Sequence, residues 1–496
     1  MCSGTMVWTG WRRASASECR MSAQHAGRSI RAHPYRIVPI GKETYGSLNS
    51  FLKGRENMEK TENKKLLSRT DLFSMAVGQI IGVGIMTMTG IAIGFTGRSV
   101  NIAYIVAGLI TIIAVIPQIY IGGTANFRGG QYSQIAVLSG QRMAGIYLYV
   151  QLFSCLAISM YTLSFADYFL SLFPGVNAKL ICTIVLTFLF GMHIFGVKQA
   201  ARLQNILCAV LAIAIASYIC LGIGHVQADY LTAGFMTKGV GGFILASIYL
   251  TFAAGGAQYV VNYSSVSKNP TKDIPFVIIA STATVVLVYA VMSTVVAGVL
   301  PVEQVANQPL SVSAETFMPK TVFTFFVVGG AMFALLTTLN FNIGMIVYPV
   351  AGACADGWLP KKLAEKNKKY DTYPYILLVL YLIGLVPILI GLDLNTVANS
   401  TVILFTIIRG VIAYSALQLP KKMPELWEKS AFHVSNGKLK VICGLSIALA
   451  TLSVAVLLIS TSLPQIIGNI VILVISVVLA FILNKRVTLK PSYTEK

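Results

Sequence analysis

The chain has 496 residues, 55% of them hydrophobic and only 11% charged, with a mean hydropathy of +0.73 and a formal net charge of +20. Soluble domains carry roughly 25% charged residues, so this composition is that of an integral membrane protein. The cations sit in short loops and in the first stretch, with no groove-like basic block, so the charge is an orientation signal and nucleic acid is excluded as a partner. No GxxxxGK[ST] loop is present, which leaves ATP-driven pumping without support. Cys155, Cys182, Cys208, Cys220, Cys354 and Cys443 lie inside apolar runs, and no CxxC or Cys/His spacing suggests a metal or redox site.

Residues 1–57 are rich in Arg and Ser and lack an apolar h-region, so they are no secretory signal. They read as a disordered or mis-assigned extension. Lys53-Gly54-Arg55-Glu56-Asn57 can be encoded by purine-rich codons of ribosome-binding type just ahead of Met58, which is the expected start of a bacterial protein. Residues 58–70 then form a cytoplasmic N-terminus.

Apolar runs of spanning length recur about twelve times, at 72–96, 100–121, 145–172, 179–195, 201–223, 241–262, 275–299, 321–349, 374–392, 394–415, 440–460 and 464–484. The third and eighth are overlong and are expected to extend beyond the bilayer. The ninth and tenth, separated at Gly391-Leu392-Asp393, need a tight outer turn. Lys and Arg concentrate in alternate loops, such as Arg128 and Arg142, Lys268 and Lys272, and Lys361 to Lys369. By the positive-inside rule both termini are cytoplasmic, in a multi-pass protein of the cell membrane.

Two of these runs are broken by glycine. The first holds Gly78-Gln79-Ile80-Ile81-Gly82-Val83-Gly84-Ile85-Met86, and the sixth holds Phe252-Ala253-Ala254-Gly255-Gly256-Ala257-Gln258. Glycine at membrane depth lets a helix unwind. Unwound backbone survives there only where protein or a polar cavity satisfies it. Five spans separate the two breaks, so the second half is inverted relative to the first. The expected architecture is an all-α integral membrane protein of about 12 transmembrane helices in a 5+5 inverted repeat, with helices one and six broken. The repeats cover 71–223 and 241–415. A loop with two further spans covers 416–484, and 485–496 is a cytoplasmic tail.

At these residues the sequence resembles a known family. Ile81-Gly82-Val83-Gly84-Ile85-Met86 is similar to the first-helix motif of the amino acid–polyamine–organocation transporters. Arg128-Gly129-Gly130-Gln131-Tyr132, Gly196-Val197-Lys198, Lys268-Asn269-Pro270-Thr271-Lys272-Asp273-Ile274-Pro275 and Leu336-Thr337-Thr338-Leu339-Asn340 resemble four further motifs in family order. The resemblance runs from Asp71 to about Pro420 and points to the amino acid permease branch, with a LeuT-like fold. It implies a secondary active transporter working by alternating access, without a resident cofactor or an obligate protein partner. Its partners are then a small-molecule amino acid and the lipid bilayer.

The chemistry expected at the breaks is backbone chemistry. Freed amides of Gly82, Val83 and Gly84, at the positive end of a half-helix, suit a carboxylate. The resemblance implies Ile80, Phe252 and Gly255 as carbonyl donors to an ammonium, with Ile81 in the same broken segment. Ala253, Ala254, Gly255 and Gly256 leave room for a bulky side chain. Close helix packing is the bland alternative for the glycines, and Gly78-xxx-Gly82 and Gly90-xxx-Gly94 fit it.

The chain departs from the family pattern in several places. Val83 stands where many members have Ser, and Gln258 where many have an acid. Helix five lacks the lysine of some proton-coupled members, and His193 replaces an Asn. Carbonyls of Gly78 and Ile81 with hydroxyls of Thr337 and Thr338 would make an oxygen-only cation site, against the alternative that both threonines bond back to their own helix. Coupling to Na+ or H+ and exchange of substrates are all open. Asp167 and Arg409 are read as interfacial, with Arg409 snorkelling to the inner surface. With no acid near helix six to pair a cationic side chain, the expected substrate is a neutral, apolar or aromatic amino acid. Exchange, polyamine transport and a transporter-fold sensor are the alternatives. An enzyme would need clustered His, Asp or Glu at membrane depth, which the spans do not offer. A channel would need repeated pore-lining rings.

Overall fold

The computed structural model describes residues 66–82, 84–392, 394–459, 462–490 and 493–494. The expectations for 1–57, for most of 58–70, and for Val83 and Asp393 lie outside the described residues.

The first broken run forms α1 (Arg69–Ile80), a π-helical turn at Gly84–Met88, and α2 (Thr89–Thr96). Its two arms, Arg69–Met86 and Thr89–Thr96, are bent by 55°. A capping box starts α1: Asp71 N–H donates to Ser68 Oγ at 3.3 Å, and Ser68 N–H donates to Asp71 Oδ2 at 2.8 Å. Next come α3 (Val100–Thr124), strand β1 (Asn126–Phe127), α4 (Gly130–Ser139), α5 (Gln141–Ser154) and α6 (Ala157–Leu172). Helices α5 and α6 are the overlong third run, interrupted by a turn at Cys155-Leu156. The half closes with α7 (Ala178–Ile194) and α8 (Val197–Gly222).

The sixth run is broken where the glycines stand. Helix α9 (Gly239–Ala253) stops, and a 3-10 helix follows at Ala257–Val266. Gly256 between them has φ +133°, which side chains rarely adopt, so the helix is interrupted there on a glycine. Pro270 opens α10 (Pro270–Val299), where its missing N–H costs nothing. A short α11 (Leu310–Phe317) precedes the continuous run Lys320–Asp356, which has a π-helical segment at Phe326–Met332 and ends in α12 (Phe333–Asp356). The last helices are α13 (Pro374–Ile390), α14 (Leu394–Ala416), α15 (Asn436–Ile459) and α16 (Leu463–Leu483). Strand β2 (Tyr493–Thr494) pairs antiparallel with β1, Phe127 opposite Tyr493.

Among the described residues, eight helices are long and apolar enough to cross a membrane, or nine if the bent first pair is one span. Three shorter apolar helices, Ala178–Ile194, Pro374–Ile390 and Ile403–Ala416, lie where the fourth, ninth and tenth runs were expected. The protein is therefore an all-α, multi-pass membrane protein. Its periphery carries the side chains a bilayer accepts: Leu109, Ile206, Ile213, Leu287 and Ile390 are all more than half exposed.

The site is positioned by the centre of this bundle. Helix α1 packs against α8, α10 and α12, and α9 packs against α2 and α3. Charged contacts tie the helix ends at the Asp71 side. Asp71 accepts from Lys198 and from Asn205 Nδ2 (3.1 Å), and Arg69 pairs with Asp273 at 2.7 Å. On the Arg98 side, buried Arg98 pairs with Asp229 at 2.9 Å and donates to Gln227, while Tyr230 donates to the Arg98 carbonyl at 2.6 Å.

Candidate functional site

A cavity of about 280 Å³ lies between the two breaks. From the first run it is lined by Gln79, Ile80, Gly82, Gly84, Met88 and Ile91, and from the second by Tyr249, Phe252, Ala253, Gly255, Gly256 and Tyr259. Met160, Thr338, Phe405 and Arg409 close it from α6, α12 and α14. Helix α1 stops because Ile81 takes an extended conformation, φ −78° and ψ +95°, so the carbonyls of its last turn lose their intrahelical donors. The tight approach of neighbouring elements explains the glycines beyond the break. A Cβ on Gly82 would lie 2.7 Å from Thr338 Oγ1, and one on Gly84 would lie 2.9 Å from both Cα and Cβ of Ala253. The glycines thus serve close packing and an open backbone at once. Gly90 and Gly94 do pack: the Gln308 backbone and the Asn307 side chain lie against them.

Of the residues expected at a substrate site, Ile80, Gly82, Gly84, Phe252, Ala253, Gly255 and Gly256 line one cavity. Ile81, Ala254 and Gln258 are not among the lining residues, and each is buried. The Ile81 carbonyl accepts from Thr338 Oγ1 at 3.4 Å. The Gln258 carboxamide turns back on the break, its Oε1 accepting from Gly256 N–H at 3.1 Å. A carboxylate at this position could accept the same bond, so Gln258 holds the backbone at the break.

Gly78, Ile81, Thr337 and Thr338 also meet. Thr337 Oγ1 donates toward the Gly78 carbonyl at 3.1 Å, and Thr338 Oγ1 lies 2.9 Å from it. Both hydroxyls also lie within 3.0 Å of the Ala334 carbonyl, so the own-helix alternative is present in the same geometry. The donor set is oxygen only, as a hard cation requires.

Several features were missed by the sequence reading. Tyr289 on α10 donates its hydroxyl to the Ile80 carbonyl at 3.0 Å, so one of the carbonyls expected to face an ammonium already has a donor. Gln79 lines the cavity, its Oε1 held by Asn342 Nδ2 at 2.9 Å. His193 is buried, with Nε2 3.0 Å from the Asn340 carbonyl. Asp167 is exposed, five residues before the end of α6.

Arg409 is the larger correction. Instead of snorkelling to the inner surface, its guanidinium lies against Gly255 at the break of the sixth run and lines the cavity. Phe405, one helical turn earlier, lines it too, which fixes that face of α14 toward the centre. A cue was present: an arginine inside an apolar span is functional by default.

The amino acid permease family model matches residues 67–484. Similar proteins include the methylthioribose transporter of Bacillus subtilis (strain 168), 27% identical over 76% of this chain and 87% of that one. The branched-chain amino acid permease BcaP of the same organism is 24% identical over 73% of this chain and 82% of its own length. The human large neutral amino acids transporter small subunit 2 is 26% identical over 73% of this chain and 71% of its own. These relatives are transporters rather than enzymes. With two broken helices around a central cavity and a family match over most of its length, the chain belongs to the amino acid permease family of the amino acid–polyamine–organocation superfamily.

Proposed function

We propose that this permease is a secondary transporter that carries α-amino acids across the cell membrane by alternating access, without a catalytic step. The observation that carries the reading is the single cavity lined by Ile80, Gly82 and Gly84 from one break and by Phe252, Gly255 and Gly256 from the other. Amides past the first break bind the carboxylate, and carbonyls at the half-helix ends bind the ammonium. In this reading the twelve runs all cross the bilayer as a 5+5 inverted repeat, and both termini face a bacterial cytoplasm. The relatives named for branched-chain and large neutral amino acids support an amino acid substrate.

The sequence expectation of a neutral, apolar or aromatic side chain draws support from Met88, Ile91, Met160, Phe252 and Phe405 on the wall. No acid is among the lining residues, so a cationic side chain, and with it a polyamine, finds no partner there. Arg409 favours a second reading, in which the side chain is itself charged. For coupling, Na+ fits the oxygen set of Gly78, Ile81, Thr337 and Thr338, which would hold it beside the first break; exchange of one amino acid for another is the alternative.

The test is uptake of labelled amino acids into vesicles holding the purified protein, under sodium, pH or preloaded amino acid gradients. Accumulation driven by one of these supports transport. Binding without any flux would show a sensor.

A further inference from the structure

Three groups rich in hydrogen-bond donors stand together at the sixth-run side of the cavity, with the Tyr259 oxygen as the one acceptor they share. The Arg409 guanidinium lines the cavity, its Nε is shielded from solvent, and that atom has no partner. No ion pair among the described residues includes Arg409. Tyr259 lines the same wall; Arg409 and Gln258 are the hydrogen-bonding neighbours of its buried hydroxyl, and since both bring N–H groups to its oxygen, its own O–H is left without an acceptor. Gln258 is 3% exposed; its Oε1 is used by Gly256 N–H and its Nε2 is left without an acceptor.

A buried donor without an acceptor is costly, and an unpaired buried charge more so. Here the shortage is all of one kind. Guanidinium, phenol and carboxamide N–H call for an acceptor with several lone pairs, and a carboxylate meets that need and pairs with arginine in a bidentate fashion. The substrate's α-carboxylate has its own place at the Gly82 and Gly84 amides. The donors on the other wall then await a second anionic group.

Resting on the amino acid transport reading above, we propose that Arg409, with Tyr259 and Gln258, binds a carboxylate on the substrate's side chain, making an acidic amino acid the preferred cargo. Arg409 is the specificity-determining residue. The Tyr259 hydroxyl and Gln258 carboxamide complete the acceptor's hydrogen bonds. Met160, Phe252 and Phe405 cover the aliphatic part of the side chain. A site built on polar pairs discriminates strongly against an isostere lacking them, because its donors are then left bare.

The experiment compares L-glutamate and L-aspartate with L-glutamine, L-asparagine and L-leucine as substrates and as competitors, in vesicles holding the wild-type protein, R409Q or R409K. The expected result is that wild-type prefers the acids over their amides. R409Q should lower the acid-to-amide ratio by about 30-fold or more, the loss typical of removing one partner of a buried charge pair. R409K, which keeps the charge but not the fork, should fall between the two. Wild-type uptake of leucine or glutamine that the acids do not inhibit would overturn the proposal and leave amino acid transport standing. So would equal losses of acid and amide uptake in both variants, which would make Arg409 a structural counter-charge for the half-helix end. Folding is checked by monodispersity, and wild-type melting shifts with the same ligands decide the matter if neither variant folds. Absence of flux for every amino acid by folded wild-type protein would overturn the transport reading and this proposal with it.

Discussion

Gly84 and Ala253 are the point where the two broken helices touch: a Cβ on Gly84 would lie 2.9 Å from both Cα and Cβ of Ala253. One contact therefore couples the segment expected to hold a carboxylate to the half-helix expected to hold an ammonium. No flexible side-chain end is available there to give way.

Substitution of this glycine should thus separate folding from transport. Gly84→Ala is expected to destabilise the protein by about 1–3 kcal/mol, the usual cost of overpacking, and to reduce uptake sharply. Gly84→Leu and Gly82→Leu should abolish uptake with membrane insertion intact, because the new side chain fills the space in front of the amides. Wild-type uptake in these variants, measured in vesicles with equal protein content, would mean that the segment only packs.

The proposed reading, a carboxylate held at one break and an ammonium at the other, predicts the substrate chemistry. Amino acid amides and decarboxylated amines should compete poorly with the parent amino acid, since each lacks one recognised charge. Competition assays with a diamine such as putrescine check the alternative directly. A diamine that outcompetes every amino acid would move the protein to the polyamine class.

The proposed ion coupling is tested at the first break and α12. Thr337→Val with Thr338→Val removes the two hydroxyls that meet the Gly78 carbonyl and nearly preserves volume. If sodium drives uptake, the double variant should lose sodium dependence before it loses substrate binding. Uptake that ignores sodium and follows preloaded internal amino acid instead supports exchange. Uptake driven by a pH gradient alone would turn attention to His193.

The Tyr289 hydroxyl is expected to hold the unwound end of α1. Tyr289→Phe deletes its 3.0 Å bond to the Ile80 carbonyl and should cost about 1 kcal/mol of stability. Because Ile80 lines the cavity, apparent substrate affinity should change more than maximal rate. A titration of uptake against substrate concentration separates the two.

The sequence by itself determined the membrane class, the places of the apolar runs and the two glycine breaks, since hydropathy and backbone freedom are local properties. It also carried the family motifs, which the family match over 67–484 extends through the end of the last helix. What only the tertiary structure decided is which face of each element meets the cavity. Ile80 and Gly82 line it while Ile81 between them turns its carbonyl to Thr338, and Gln258 folds back on Gly256. Arg409 and Tyr289 reach the site from α14 and α10, far along the chain. Their roles depend on how those helices rotate against the breaks, and packing among helices, rather than any residue pattern within one, sets that rotation.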